Sequence, residues 1–385
     1  MKYRVETNCV SNNQLASQCD NTGSISFPIY QTATFAHPGV GESTGYDYSR
    51  QQNPTREQLE RVVASLENGI DALAFSSGMA AIAVMLELFK PGAHIISSRD
   101  LYGGMIRYFD KISIKNGLTI TYLDTSTPNL EDFIKKETVA IFIETPTNPM
   151  MNITDIQKTA EIAKKHNLLL IVDNTFLSPY FQNPLDLGAD IVLHSGTKFL
   201  GGHNDTLAGF LIVKRKDLSE ELRFLIKTIG SGLAPFDSWL VLRGVKTLAV
   251  RMEACQKNAI TIANWLINHP KVTKVYYVGL KDHPGYEINK NQSRGSGSMI
   301  TFQVDCAKTA LHVLKSVKLI RFAESLGGVE TLITYPTTQT HSDVPLEERE
   351  KNGILETTLR LSTGIEHVDD LINDLEQALE IPDKV

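Results

Sequence analysis

Cysteine is scarce in this 385-residue chain: four residues, Cys9, Cys19, Cys255 and Cys306, with no Cys-x-x-Cys pair among them. Their spacing suits neither a zinc site nor a disulfide framework, so no metal is expected and free thiols in a reducing compartment are. Long apolar runs are missing as well. No stretch approaches the ~20 apolar residues that a bilayer demands, and the opening "MKYRVETNCVSNNQ" lacks the apolar segment of a secretory signal. Both absences point to the cytoplasm. The sequence has no block of Lys and Arg. With 38 basic and 44 acidic residues its net charge is −6, and nothing resembles a basic stripe for nucleic acid. Nor is there a Gly-x-Gly-x-x-Gly or a Gly-Lys-Ser/Thr loop, so neither a dinucleotide nor a nucleoside triphosphate is expected.

What is present is ordinary globular material. Hydrophobic residues make up 42% of the chain, and the length suffices for two cores. Residues 1–54 are polar and turn-rich, with "FPIYQTATF" as the one ordered-looking piece, and read as an arm. Thr55 opens a helix with a Thr-x-x-Gln capping box completed by Gln58. Leu59, Val62, Val63 and Leu66 follow at helical spacing, and Gly69 supplies the stop. Residues 55–245 then alternate strands and helices. "ALAF", "HIISS", "VAIFIET", "LLLIVDNT" and "DIVLHSGT" are continuously apolar, as strands covered on both faces are. The expectation is an α/β domain with a mostly parallel sheet. Residues 246–385 change texture and read as a smaller α+β domain. There are no repeats and no low-complexity segments.

Ligands of such sheets bind at the carboxyl ends of the strands. In "FSSGMAAI", the backbone N–H groups of Gly78 and Met79 start a helix and would suit an anion; an ordinary tight turn would look the same. In "IVDNT", Asp173 ends an apolar run, where an unpaired carboxylate is costly. A cationic ring nitrogen would serve it, as would a helix cap or a structural ion pair. In "LHSGTKFLGGH", Ser195 and Thr197 flank Lys198. Two hydroxyls suit a phosphate, and a desolvated lysine becomes a nucleophile able to form an imine, although a lone lysine is usually a surface one. Tyr102 in "DLYGG" offers a face for a flat ring or for core packing. Arg360 in "LRLSTG" could hold a carboxylate bidentately or form a surface ion pair. Singly these are weak. Jointly they describe a phosphate seat, a stacking plate, a carboxylate for a ring nitrogen and an imine-forming lysine, the set that pyridoxal phosphate needs.

The chain resembles the Cys/Met-metabolism family of pyridoxal-phosphate enzymes, the trans-sulfuration group. The resemblance runs from "PIYQTATF" and "YSRQQNPTR" through "AFSSGMAAI", "ETPTNP" and "LGADIVLHSGTKFLGGH" to "FAESLGGVETLI" and "LRLSTGIE". It implies the aspartate-aminotransferase-like fold (fold type I) and a homotetramer made of two active dimers. Carried onto this chain, it implies Lys198 as the cofactor lysine and base, Asp173 as the partner of the ring nitrogen, and Tyr102 as stacking residue and acid/base. It also implies Gly78, Met79, Ser195 and Thr197 as phosphate ligands. Tyr48 and Arg50 would reach the phosphate of the neighbouring subunit, which accounts for the polar arm. Arg360, Ser325 and Asn148 would hold the substrate α-carboxylate. Gly196 stands where Ala or Cys is more usual and Asn204 where Ser is common, departures that could alter loop freedom near the imine.

Within the family, Tyr102 is followed by Gly-Gly-Met, without the cysteine that methionine γ-lyases share two positions on. Glu324 resembles enzymes acting at Cγ and could bind a distal amino group; a helix-capping carboxylate is the plainer alternative. "GESTGYDYSRQQNPTR" and "ITYPTTQTHSDVP" look most like bacterial γ-synthases that use an O-acylhomoserine. The expectation is therefore a cystathionine γ-synthase. Cystathionine γ- or β-lyase, an O-acetylhomoserine sulfhydrylase and, more remotely, a non-catalytic regulatory protein that binds the cofactor are the alternatives.

Overall fold

The computed structural model describes residues 3–11, 22–127, 129–342 and 344–380; Cys19 lies outside them. Among the described residues, twelve strands form two sheets. β1 (Asp71–Phe75), β2 (His94–Ser98), β3 (Thr119–Leu123), β4 (Thr138–Glu144), β5 (Leu169–Asp173), β6 (Ile191–Ser195) and β7 (Gly209–Val213) make the first, in the order β1-β7-β6-β5-β4-β2-β3. β6, β5, β4, β2 and β3 run parallel, while β7 is antiparallel to both its neighbours. The mostly parallel α/β sheet is thus as the sequence implies, with an antiparallel margin at β1 and β7.

Side chains alternate across each strand, so successive residues enter different cores. On β7, Phe210 and Ile212 join one apolar cluster and Leu211 and Val213 the other. On β5, Leu170 and Val172 face one way and Ile171 the other. Helices cover both faces, which is why these strands read as unbroken apolar runs. A third core lies between β8 (Val272–Tyr276), β9 (Met299–Val304), β10 (Arg321–Phe322), β11 (Leu332–Thr334) and β12 (Thr358–Ser362) and the helices Ala307–Ser316 and Val368–Leu379. This sheet is ordered β10-β11-β12-β9-β8 and is antiparallel except between β10 and β11.

Two local expectations need correction. The helix after the arm runs Pro54–Leu66 and is capped by Asn53, whose side chain accepts from Thr55 N, not by a Thr55–Gln58 box. The Thr55 hydroxyl is engaged elsewhere, donating to Pro28 O at 3.0 Å and accepting from Tyr30 N at 2.9 Å. At the far end, Asn68 rather than Gly69 takes the left-handed conformation, with φ 57°. Gly69 N bonds Ala64 O and Asn68 N bonds Ser65 O, the paired bonds of a Schellman stop. Gly69 is needed for space, since a Cβ there would sit 2.5 Å from Ile212.

The arm holds more order than "FPIYQTATF" alone. A helix spans Val5–Ser11, and its Cys9 is buried in the same core as Phe27. Trp239 Nε1 donates to Phe27 O. Cys9, Cys255 and Cys306 are free thiols. Among the described residues, no helix is long and apolar enough to cross a membrane, and no group of three His, Cys, Asp or Glu could hold a metal ion.

Candidate active site

Three parallel strands end at one place, and their last residues are polar: Glu144 on β4, Asp173 on β5 and Ser195 on β6. Together with the turn after β1 and residues of the second sheet they line a cavity of about 210 Å³. Eleven of the thirteen site residues singled out from the sequence meet there: Lys198, Tyr102, Gly78, Met79, Asp173, Ser195, Thr197, Asn148, Glu324, Ser325 and Arg360. Tyr48 and Arg50 do not. Both are exposed on the arm, with the Arg50 guanidinium 5.6 Å from the Tyr48 ring and donating to Lys227 O at 2.6 Å.

Small residues build the anion end. Ser77 caps the Gly78–Leu86 helix by accepting from Ala80 N at 3.1 Å. The N–H groups of Gly78 and Met79 lie in its first turn, where no carbonyl of the helix can reach them. β7 passes so closely that a Cβ on Gly209 would come within 2.2 Å of Ser77 O. After β6, the turn closes through Lys198 N to Ser195 O and Gly202 N to Lys198 O. A Cβ on Gly196 would lie 2.4 Å from the Phe210 ring. The glycine there answers to that close contact more than to loop freedom. Asn204 sits at φ 55° and donates to Glu330 Oε2 at 2.7 Å.

The lysine is held from the second sheet. Lys198 Nζ donates to Ser325 Oγ at 2.8 Å. Burial, with the Arg360 charge acting the same way and Glu324 opposing, brings its amine down to about 8. Arg360 on β12 is 1% exposed. It donates to Asn148 Oδ1 (2.8 Å), Ser325 O (2.9 Å) and Thr334 Oγ1 (3.1 Å). Its Nε is buried without a partner, a donor left for an incoming carboxylate. Burial lowers this guanidinium to about 10, with Glu144 and Glu324 opposing. Ser325 is held at φ 92°, a backbone state rare outside glycine that persists where the surroundings over-determine it.

Sequence reasoning missed three residues here. Glu144 pairs in register with Asp173 and accepts from Tyr102 N at 3.0 Å. Thr175 donates to Asp173 through N (3.0 Å) and Oγ1 (2.5 Å). Thr340 lines the cavity, and its carbonyl would lie 2.0 Å from a Cβ on Gly103. Neighbouring His341 is neutral, lowered by burial to about 4, and its ring bonds Leu101 O at 3.0 Å. Glu144 carried a signal as a carboxylate ending an apolar strand, and Thr175 stands two residues past Asp173 in "DNT"; Thr340 alone depends on distant chain coming together.

The two carboxylates at adjacent strand ends test what the cavity takes. Burial raises both Asp173 and Glu144, and Asp173 pushes Glu144 further. Among the described residues no Lys, Arg or His lies within 4.0 Å of the Asp173 carboxylate, and His194 eases its charge only from farther off. A buried pair of this kind calls for a cation, and a protonated ring nitrogen beside Asp173 supplies one. The Tyr102 side, 41% exposed, leaves room for a flat ring. The residues fit pyridoxal phosphate.

The profile of the Cys/Met metabolism PLP-dependent enzymes matches residues 6–380. The chain belongs to that family. It is 49% identical over 381 residues to a cystathionine gamma-synthase/O-acetylhomoserine (thiol)-lyase of Bacillus subtilis, covering 98% of this chain and 97% of that one. A cystathionine beta-lyase of Lactococcus lactis is 48% identical over 362 residues, 93% of this chain and 95% of its own. Among solved structures, cystathionine gamma-lyase from Lactobacillus plantarum complexed with L-serine superposes with a TM-score of 0.95 at 44% identity, covering 98% of both chains. The fold is that of these enzymes and the cofactor is pyridoxal phosphate. The chain is a trans-sulfuration-type enzyme of the synthase and lyase group.

Proposed function

We propose that this chain is a cystathionine γ-synthase, joining an O-acylhomoserine and L-cysteine into cystathionine with release of the acyl group as its acid. The observation that carries the reading is the direct linkage of base to carboxylate receptor, Lys198 to Ser325 to Arg360. That linkage would hold an amino acid by its α-carboxylate with its Cα beside an amine. Bound pyridoxal phosphate supplies the sink for electrons released at Cα.

The chain's own residues do the rest. Gly78 and Met79 N–H, Ser195 and Thr197 would hold the phosphate, Asp173 the ring nitrogen, Tyr102 the ring face and Lys198 the carbonyl carbon. Arg360, positioned by Asn148 and Ser325, would take the substrate carboxylate. Lys198 Nζ, whose lowered affinity for protons makes it a base near neutral pH, would remove the Cα proton and, once it has handed that proton on and is neutral again, a Cβ proton. Ser325 Oγ steadies that amine. Glu324, which lines the cavity, would face the Cγ side, where leaving group and thiol exchange. Tyr48 and Arg50 would serve the phosphate of a neighbouring subunit, within a homotetramer built from two such dimers. In this reading 1–54 is the arm, 55–245 the cofactor domain and 246–385 the C-terminal domain.

Cleavage of cystathionine at Cβ or Cγ is the second reading. It is favoured by the likeness to the beta-lyase and to the L-serine complex of the gamma-lyase. The test is product identity: the holoenzyme with an O-acylhomoserine and cysteine makes cystathionine, whereas a lyase splits it.

A further inference from the structure

A cavity of about 190 Å³ at the ends of β2 and β3 shares no lining residue with the one around Lys198. Its wall is polar, with Leu123 as the one apolar residue among twelve. Three hydroxyls form a ladder in it: Thr125 Oγ1 lies 2.8 Å from Ser98 Oγ and 2.7 Å from Thr154 Oγ1. Asp100 lines the same cavity and is 7% exposed. Its Oδ2 accepts from the Thr147 hydroxyl, from Met150 N at 3.2 Å and from Asn152 Nδ2 at 3.5 Å. Its Oδ1 is buried without a partner.

A carboxylate oxygen left unanswered in such a place is costly. Among the described residues, no Lys, Arg or His comes within 4.0 Å of Asp100 or of Asp124, the other carboxylate of this cavity. Arg99 and Lys351 line it too, yet neither supplies that counter-charge, and Lys351 lies 3.7 Å from Glu348. Asp124 is exposed, and its Oδ1 accepts from Ser126 N at 3.0 Å and Ser126 Oγ at 2.5 Å. Water screens an exposed charge, so the buried demand is for one positive charge. The donors around it are all oxygens, which suit a hard cation. The described residues hold no cluster of three His, Cys, Asp or Glu of the kind a transition metal takes.

We propose that this cavity binds a monovalent cation such as potassium, with Asp100 as its buried charged ligand, the Ser98–Thr125–Thr154 hydroxyls as neutral ligands and Asp124 at its solvent side. Its influence reaches the active site through the chain. Asp100 stands two residues before Tyr102. The Thr147 and Met150 groups that it holds bracket Asn148, the partner of Arg360. Ser98 Oγ accepts from Glu144 N at 3.4 Å. A cation at Asp100 keeps these contacts made, and so favours the arrangement that takes a carboxylate. That effect on substrate rests on the reading of Arg360 given above; the binding of the cation does not.

The test places the holoenzyme in tetramethylammonium buffer, whose cation is too bulky for such a cavity, and adds potassium chloride at constant ionic strength. The thermal midpoint should rise by ~2–4 °C and level off as the site fills. The KM for O-acetyl-L-homoserine should fall ~10-fold, the worth of one charged contact. Asp100→Asn keeps the shape, removes the charge and should abolish both responses. Asp124→Asn, at an exposed position, should raise the potassium concentration for half effect ~3-fold, and it keeps the test open if Asp100→Asn does not fold. Equal behaviour in potassium and tetramethylammonium overturns the proposal. So does an undiminished response in Asp100→Asn, an unchanged half-effect concentration in Asp124→Asn, or a response to magnesium without one to potassium. The thermal measurement needs no turnover. A protein that potassium stabilises but that does not turn over O-acetyl-L-homoserine therefore supports the cation site and overturns the reading of the reaction instead.

Discussion

Lys198 Nζ lies 2.8 Å from Ser325 Oγ, and the same serine gives its carbonyl to Arg360. The amine proposed as the base, in the turn after β6 of the first sheet, and the guanidinium proposed as the carboxylate receptor, on β12 of the second, are thus joined through one residue, so relative movement of the two sheets would alter both. The amine is also set chemically, because burial and the nearby guanidinium both disfavour its proton.

The pH dependence of cofactor loading follows. Pyridoxal phosphate reacts with the neutral amine, so the rate at which apoenzyme gains imine absorbance should rise with pH to a midpoint near the Lys198 value of about 8, well below an ordinary lysine. Lys198→Ala should gain no such absorbance. Glu324 favours the protonated amine, so Glu324→Gln should move the midpoint to lower pH. A shift upward would contradict the assigned electrostatics.

Asp173→Asn separates stability from chemistry. Asp173 and Glu144 both have raised proton affinity in the folded apoenzyme. Such groups reduce stability above the unfolded carboxylate range, and the loss is recovered as pH falls through the raised values. Urea unfolding of the apoenzyme from neutral to acid pH should therefore show this recovery in wild type and less of it in Asp173→Asn. Activity of the loaded variant should fall ~100-fold or more, as the ring nitrogen loses its counter-charge. Unaltered activity would remove Asp173 from its proposed role.

Gly196→Ala should cost about 1–3 kcal/mol of stability, the usual penalty for overpacking. The added carbon meets the Phe210 ring at 2.4 Å. Phe210→Leu should relieve part of that cost in the double variant, measured by denaturant midpoints at constant m-value. Equal and additive losses would mean that the ring is not the obstacle.

Arg50→Ala tests the arm. The side chain is exposed and lies outside this chain's own cavity. If it serves a neighbour's phosphate, the variant should lose pyridoxal phosphate ~10-fold more readily in equilibrium dialysis, the loss expected for a charged hydrogen-bonded contact, with an unchanged circular dichroism spectrum. Equal retention would place Arg50 elsewhere.

The strands with unbroken apolar runs, such as "LLLIVDNT", were legible because helices cover both their faces. β3, "TITYL", and β7, "GFLIV", were not read: one alternates with threonine, and the other begins with a glycine whose reason is the passing Ser77 carbonyl. Lys198, Asp173 and Arg360 announced themselves as charges where charge is costly. Glu144 beside Asp173 depends on strand register, and Thr340 beside Gly103 on chain more than two hundred residues away. The hydroxyl of Thr55 fits a local capping rule, yet a tertiary partner claims it.

Product identity tests the central claim most directly. The holoenzyme is given O-acetyl-L-homoserine with L-cysteine, and separately L-cystathionine alone, and the products are identified by mass spectrometry. A γ-synthase forms cystathionine and acetate in the first mixture and leaves cystathionine intact in the second. Pyruvate with homocysteine, or 2-oxobutyrate with cysteine, from the second mixture and no cystathionine from the first would contradict it.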